Sequence, residues 1–194
     1  MRLDGVSVYN WNKSELGKHL GYLPQDIELF DGTFAENITR FGEMDHENLN
    51  KAIKLANLED FLEILPEGIE TNLNADTLRI PGGIKQKIGL ARALYGDPKL
   101  IVLDEPSSNM DNYSESKFLE SIKAIKNLPC SLIIITHSKE ILRVSDLVLT
   151  IENGRQKLFN TMEGIKKQMQ ENATKKVLEQ QKKSLLISKK NNES

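Results

Sequence analysis

Several features that would place a protein in a special class are scarce or missing in these 194 residues. The single cysteine, Cys130, excludes an intrachain disulfide, so nothing indicates an oxidising compartment. No apolar run is long enough to span a membrane, and the first residues lack the apolar segment of a signal peptide. With 26 Lys and Arg against 28 Asp and Glu, the chain also lacks the basic excess of nucleic-acid-binding proteins. We therefore expect a cytoplasmic protein that has no nucleic-acid partner.

The residues that are present have an ordinary globular composition, 39% hydrophobic and 28% charged, which is enough for one domain with its own core. The composition changes after residue 155, where lysines recur in pairs and Ile165, Met169, Ala173 and Val177 form a thin apolar stripe. We expect a domain over residues 1–155 and a basic tail, helical and then disordered, over residues 156–194. The paired lysines are typical of a solvated face, and weak attraction to an anionic membrane is the alternative.

Residues 100–106 carry the clearest chemical signal in the chain. Four aliphatic residues, which include Ile101 and Val102, predict a strand buried on both faces in the middle of an α/β sheet. The strand stops at Asp104 and Glu105, and the C-terminal ends of parallel strands are where open α/β sheets bind ligands. An aliphatic strand followed by Asp and Glu is the Walker B arrangement of nucleotide hydrolases, in which Asp holds Mg²⁺ and Glu acts on the attacking water. The alternative is a strand that ends in a solvated acidic turn.

A second aliphatic run, residues 132–135, predicts another fully buried strand, and it leads into His137. This histidine stands at the same end of its strand as Asp104 and Glu105 do at theirs. A lone histidine after a strand is more often structural than catalytic. Two parallel strands that deliver titratable groups to one crevice favour a functional role.

Helical spacing of apolar residues over 43–65 predicts two helices with a bend near Asn57. Gly82 and Gly83 open a further helix, and such a start lets the backbone approach an anion with free N–H groups. By itself a glycine pair is more typical of a turn. Residues 43–96 therefore predict a helical subdomain inserted in an α/β core, with one long crossover helix as the alternative.

Turn and cap signals define the remaining elements. Asp4-Gly5 predicts a hairpin, and residues 152–155 predict a second hairpin that completes the fold. Thr33 is a predicted helix cap. A short strand at residues 20–23 runs into a loop that begins with a proline and carries Gln25.

Together these motifs resemble the nucleotide-binding domain of ATP-binding cassette (ABC) transporters over residues 1–155. The sequence Gly-Tyr-Leu-Pro-Gln-Asp-Ile-Glu-Leu-Phe-Asp-Gly-Thr at 21–33, followed by Ala-Glu-Asn-Ile at 35–38, is similar to one subgroup, the exporter ATPases of bacterial type I secretion. The resemblance implies an α/β P-loop NTPase core with parallel strands, an inserted helical subdomain and a helical tail. It implies ATP and Mg²⁺ as cofactors, and a second nucleotide-binding domain and a transmembrane domain as partners. It also implies a peripheral position at the inner membrane.

The resemblance assigns roles to the residues of the predicted crevice. Asp104 matches the Walker B metal residue, and Glu105 matches the catalytic base. His137 matches the switch histidine, which contacts the γ-phosphate. Gln25 matches the Q-loop glutamine, which senses Mg²⁺ and the γ-phosphate and faces the membrane domain.

The resemblance also locates the motifs that act across the dimer. Asp111 matches the D-loop aspartate, and residues 80–84 match the signature motif, in which Pro81, Gly82 and Gly83 stand at nucleotide-binding positions. The family's usual signature is Leu-Ser-Gly-Gly-Gln, whereas this chain has Ile-Pro-Gly-Gly-Ile. The family's serine hydroxyl bonds the γ-phosphate of the opposite subunit, and Pro81 offers neither a hydroxyl nor an N–H.

The phosphate-binding loop of the family, Gly-x-x-x-x-Gly-Lys-Ser/Thr or Walker A, does not occur in these residues. We therefore expect the C-terminal part of a longer protein, the ATP-binding and ATP-hydrolysing portion of a type I secretion transporter, which is not competent alone. A partner would carry the missing N-terminal half, and residues 132–135 would form an exposed strand edge. The alternative is a non-catalytic truncated remnant or an interaction module.

Overall fold

The computed structural model describes residues 2–3, 5–73, 79–108 and 110–168, and residues 169–194 of the tail predicted for 156–194 lie outside these ranges. The chain forms two compact units, residues 1–141 and 142–194. The first unit contains the strands β1 (Arg2–Leu3), β2 (Val6–Ser7), β3 (Leu20–Leu23), β4 (Leu100–Asp104) and β5 (Ser131–Ile135). The helices are α1 (Lys13–His19), α2 (Phe34–Thr39), α3 (His46–Leu55), α4 (Glu59–Glu63), α5 (Gly82–Leu94), α6 (Asn112–Ile125) and α7 (Lys139–Val144), which follows β5.

The centre of the first unit is a parallel sheet in which β4 lies between β3 and β5. Leu23 of β3 pairs with Leu103, and Ile135 of β5 pairs with Asp104. The carboxyl ends of the three strands therefore meet at one edge of the sheet. This arrangement confirms the predicted α/β class with parallel strands.

The central strand β4 is covered more completely on one face than on the other. Ile101 and Leu103 are fully buried, whereas Leu100 and Val102 are half-buried. Because side chains alternate between the faces of a strand, the first pair lines the tightly packed face. The predicted central aliphatic strand is confirmed, but only this face is closed completely.

Strand β5 differs from its prediction as a fully buried strand. Ile133 and Ile135 each expose 51% of their surface, so that prediction is wrong. Within the described residues β5 is hydrogen-bonded to β4 and forms an edge of the sheet, which agrees with the expected exposed aliphatic edge. An aliphatic run shows a preference for burial, but the elements that cover it come from elsewhere in the chain.

The segment between β3 and β4 is helical, as its apolar spacing predicts. Thr33 and Glu36 form a capping box at the start of α2, since each side chain accepts a hydrogen bond from the other's backbone N–H. Asn57 lies between α3 and α4 with a φ of 52°, at the predicted bend. Its Nδ2 donates to Ser121 Oγ of α6 at 2.7 Å, so the bend is tied to the helix that follows β4.

Both predicted hairpins are present. Strands β1 and β2 pair in antiparallel fashion, with Leu3 opposite Val6. In the second unit, β6 (Val148–Glu152) pairs with β7 (Arg155–Asn160) across Asn153 and Gly154, whose φ values of 51° and 72° suit a tight hairpin turn. The tail predicted to be helical from residue 156 instead begins as a strand, because β7 pairs with β6 as far as Asn160, and of its described residues only 162–168 are helical. None of the helices in the described ranges has both the length and the apolar character needed to cross a membrane.

Candidate active site

Two adjacent carboxylates stand at the carboxyl end of the central strand. Asp104 is the last residue of β4, and Glu105 follows it with a φ of 43°, a left-handed conformation that is strained for a residue with a side chain. The N–H of Glu105 donates to the carbonyl oxygen of Ile135 at 2.9 Å, one step beyond the last strand pair. This hydrogen bond fixes the turn, so the Glu105 side chain leaves the sheet at a defined point.

The structure brings His137 to this carboxylate. Its Nε2 lies 3.4 Å from Oε1 of Glu105, so β4 and β5 bring the two groups together at one edge of the sheet. The Glu105 side chain is 20% exposed, whereas the imidazole is 97% exposed. A sheltered carboxylate beside an accessible imidazole can accept a proton from water while the imidazole bonds an anion from the solvent side.

The loop that carries His137 is held by a neighbour that the sequence pattern did not reveal. The hydroxyl of Ser138 donates to Oε1 of Glu115 on α6 at 2.8 Å. The N–H of Ser138 donates to Thr136 Oγ1 at 3.0 Å, and the N–H of Ile141 donates to Ser138 Oγ at 3.4 Å. Ser138 therefore starts α7 and joins the histidine loop to α6.

Asp111 caps helix α6. Its carboxylate accepts a hydrogen bond from the N–H of Ser114 at 2.7 Å. The pKa of the Asp111 carboxyl lies below its ordinary value, chiefly because this backbone hydrogen bond favours the ionised form. The predicted D-loop aspartate is thus the N-cap of the helix that carries Glu115.

The glycine pair opens α5, as predicted, with Pro81 at the N-cap. The carbonyl oxygen of Pro81 accepts hydrogen bonds from the N–H groups of Ile84 and Lys85, which form the first turn. A Cβ atom added to Gly83 would stand 3.2 Å from Ser114 Oγ, so glycine lets α5 pack closely against the first turn of α6. The two motifs assigned to contact across a dimer are therefore neighbours within one chain.

Gln25 lies two residues beyond the end of β3, and its backbone is held by α5. The carbonyl oxygen of Gln25 accepts a hydrogen bond from Nε2 of Gln86 at 2.7 Å. Gln86 is 2% exposed, and among the residues that the structure describes its Oε1 has no hydrogen-bond partner. Because Leu23 at the end of β3 pairs with Leu103 of β4, the segments that carry Gln25 and Asp104 leave the sheet at the same edge.

A second anchor of this loop is Arg92 of α5. Its Nε donates to the carbonyl oxygen of Asn37 at 2.8 Å, and its Nη1 donates to that of Glu28 at 3.3 Å. The guanidinium also lies 4.9 Å from the centre of the Phe30 ring. Desolvation lowers the pKa of Arg92, but a guanidinium stays charged, and these carbonyl groups compensate for its burial.

The oxygen atoms at this edge suit Mg²⁺ in chemical type. Mg²⁺ is usually held by one or two carboxylates together with substrate phosphates and water, and the strands that end at this edge lead to Asp104, which has a carboxylate, and Gln25, which has an amide oxygen. Within the described part of the chain, no group of three or more His, Cys, Asp or Glu residues could hold a metal ion without such phosphates. In chemical type, the oxygens of Asp104 and Gln25 fit a Mg²⁺ site.

Comparisons with known proteins agree with this arrangement. Residues 1–108 match the family described as ABC transporter. The chain is 42% identical over 166 residues to the type I secretion system ATP-binding protein PrsD of Rhizobium meliloti, covering 85% of this chain and 28% of PrsD. It is 32% identical over 155 residues to the ATP-dependent lipid A-core flippase of Bordetella avium, covering 79% of this chain and 26% of the flippase.

A solved structure, a bacterial Atm1-family ABC exporter with ATP bound, superposes with a TM-score of 0.75 at 27% identity and covers 86% of this chain and 30% of that one. The chain spans roughly a quarter of the length of the curated relatives given above. The family match covers more than half of the chain. This chain therefore belongs to the ABC transporter family.

Proposed function

We propose that this chain supplies the ATP-hydrolysing residues of an ABC exporter of the type I protein secretion class. The phosphate-binding loop and the membrane-spanning domain of this exporter are provided by polypeptide outside residues 1–194. The observation that carries the proposal is the approach of His137 Nε2 to within 3.4 Å of Glu105 Oε1, at the edge of the sheet where Asp104 ends β4. The proposal gives His137, Glu105 and Asp104 the roles of switch histidine, catalytic base and metal residue, to which the family resemblance matches them.

In this proposal each residue performs a separate step. Glu105 orients the attacking water and accepts its proton on the carboxylate, which is sheltered enough to limit competition from bulk water. His137 hydrogen-bonds the γ-phosphate from the exposed side. Asp104 and Gln25 hold Mg²⁺, which neutralises phosphate charge when it is bound. Gln25 also relays the state of the site to the membrane domain, because its loop is anchored to α5 through Gln86 and Arg92.

A second nucleotide-binding domain completes the site by offering its signature motif. Gly82 and Gly83 keep the backbone of α5 open to an anion, but Pro81 provides neither a hydroxyl nor an N–H. We expect the signature of this chain to support weak phosphate contact in its partner's site. The dimer would then hydrolyse ATP faster at the site that receives a complete signature.

The secretion role rests on the 42% identity with PrsD, whose name states a type I secretion function. The flippase comparison shows that exporters with other substrates are also similar, at 32% identity. A second candidate is a non-catalytic module that binds a transporter without turnover. The signature of this chain favours the non-catalytic module, because Pro81 and Ile84 stand where the family's usual signature has polar side chains.

Reconstitution separates the two candidates. The chain is co-expressed with the part of PrsD that precedes the region similar to this chain, and ATP hydrolysis is measured in membranes. We expect hydrolysis with the wild-type chain, and we expect Glu105→Gln to abolish it while the complex still forms and binds ATP. Glu120→Gln is the matched control, because Glu120 is an exposed glutamate that forms an ion pair with Lys117 on the same helix.

A complex that binds ATP but gives equal, negligible hydrolysis with wild type and Glu105→Gln would support the non-catalytic module. Hydrolysis that survives in Glu105→Gln would contradict the assignment of the base. Secretion of a reporter substrate by the hydrolysing complex tests the finer claim. If the hydrolysing complex fails to secrete the reporter but flips lipid, the chain belongs to another class of exporter.

A further inference from the structure

We propose that Ser138 and Glu115 form a clamp that positions His137 against Glu105. Both are positioning residues, since they act through the histidine. The inference deepens the proposed function and rests on it, because it gives His137 its place in the reacting site. It accounts for a histidine that is almost fully exposed yet lies at a defined distance from a sheltered carboxylate.

His137 is held through its backbone and not by packing of its ring. With 97% of the His137 side chain exposed, little packing restricts the ring. Its position then depends on the backbone on either side. On one side the N–H of Glu105 is bonded to the carbonyl oxygen of Ile135, which fixes the end of β5. On the other side the first anchor is Ser138, the next residue.

The hydroxyl of Ser138 makes this anchor strong. The Ser138 hydroxyl donates to the Glu115 carboxylate at 2.8 Å and accepts from the N–H of Ile141 at 3.4 Å, so it is used as donor and acceptor at once. A hydrogen bond to an ionised carboxylate is about twice as strong as one between neutral groups. Removal of the hydroxyl therefore costs the α6 connection and the start of α7 together.

The far end of the clamp is Glu115 on α6. Glu115 lies in the first turn of α6, the turn that Asp111 caps through the N–H of Ser114. Ser114 in turn packs against Gly83 of the signature helix. One helical turn thus contacts the glycine motif on one side and the histidine loop on the other, which gives the clamp a rigid base.

The test uses the full chain and the C2 proton signal of the His137 ring, which His137→Gln identifies among the three histidines of the sequence. Because the ring lies 3.4 Å from Glu105, Glu105→Gln shifts this signal in the wild type. We expect Ser138→Ala to reduce that response by about half, since an electrostatic interaction falls as the inverse of distance and halves when the released ring moves from 3.4 Å to about 7 Å. Ser138→Thr keeps a hydroxyl and keeps the response, and so does the control Glu120→Gln. Glu115→Gln, which keeps an acceptor oxygen without charge, falls between them.

An unchanged response in both Ser138→Ala and Glu115→Gln would overturn the clamp. A second readout uses the reconstituted, hydrolysing complex, where Ser138→Ala lowers kcat about tenfold with KM unchanged and Ser138→Thr restores it. Loss of the ring response with unaltered kcat would confirm the clamp and refute the catalytic role of His137. The two proposals therefore fail in distinguishable ways.

Discussion

Substitution of Gly21 tests the packing that brings the site together. Gly21 lies on β3, and a Cβ atom there would stand 2.1 Å from the carbonyl oxygen of Ala93 and 3.4 Å from Cγ of Pro98. An ordinary carbon–oxygen contact is about 3.3 Å or more, so Gly21→Ala requires β3 and α5 to separate by about 1 Å. The two nearest atoms, the carbonyl oxygen at 2.1 Å and the carbonyl carbon at 3.0 Å, both belong to the backbone of Ala93 and cannot rotate away.

We expect Gly21→Ala to lower the free energy of unfolding by about 3 kcal/mol, the upper end of the usual cost of overpacking. Gly17→Ala is the matched control, because Gly17 lies in α1 with nothing within 4 Å of an added Cβ. Alanine in a helix interior is favoured over glycine by about 0.5–1 kcal/mol, so the control gains stability.

Urea unfolding measures both variants, with the midpoint shift at constant slope giving the change in stability. The substitution also displaces Gln25 and Gln86, since β3 leads to one and α5 carries the other. Hydrogen exchange at the Gln25 loop reports that displacement. A Gly21→Ala variant within about 0.5 kcal/mol of the wild type would refute the packing of α5 on β3.

Three further predictions follow from individual contacts. Arg92→Lys removes the guanidinium contacts with the carbonyl groups of Glu28 and Asn37, and we expect a loss of about 2 kcal/mol in urea unfolding, whereas Arg155→Lys at an exposed site changes little; equal midpoints would contradict it. Because the pKa of Asp111 is lowered by its hydrogen bond, its stabilisation is present above the unfolded pKa and is lost as pH falls through the folded one. Asp111→Asn therefore makes the melting temperature less sensitive to acid, and an identical acid profile would count against the cap. Burial raises the pKa of the Cys130 thiol, so iodoacetamide modifies it more slowly than free cysteine at about pH 8, and an equal rate would disprove the shielding.

Much of the fold could be predicted from local patterns in the sequence. The aliphatic run that stops at Asp104 predicted the central strand, and the spacing of apolar residues predicted the helices on either side of Asn57. The capping role of Thr33 was also predicted, because a cap depends on residues within one turn. Each of these signals is carried by neighbours in sequence, so no knowledge of the tertiary structure is needed to read it.

The site could be predicted in outline and not in its supporting contacts. Parallel strands brought Glu105 and His137 to one edge, as the two aliphatic runs indicated. The anchors Ser138–Glu115 and Gln86–Gln25 were missed, because single polar residues that bond across 23 and 61 positions leave no periodic pattern. The exposure of β5 was likewise beyond local reasoning, since burial depends on elements distant in sequence.

The central claim is that these residues hold the hydrolytic groups of an ATP site whose phosphate-binding loop lies outside residues 1–194. The most direct test is the binding of a fluorescent ATP analogue with Mg²⁺ to the 194-residue chain, before and after addition of a polypeptide that carries the loop. We predict no binding by the chain alone at micromolar nucleotide, and binding once the loop is supplied. Tight, Mg²⁺-dependent binding by the chain alone would contradict the account, because residues other than a phosphate-binding loop would then hold the phosphates.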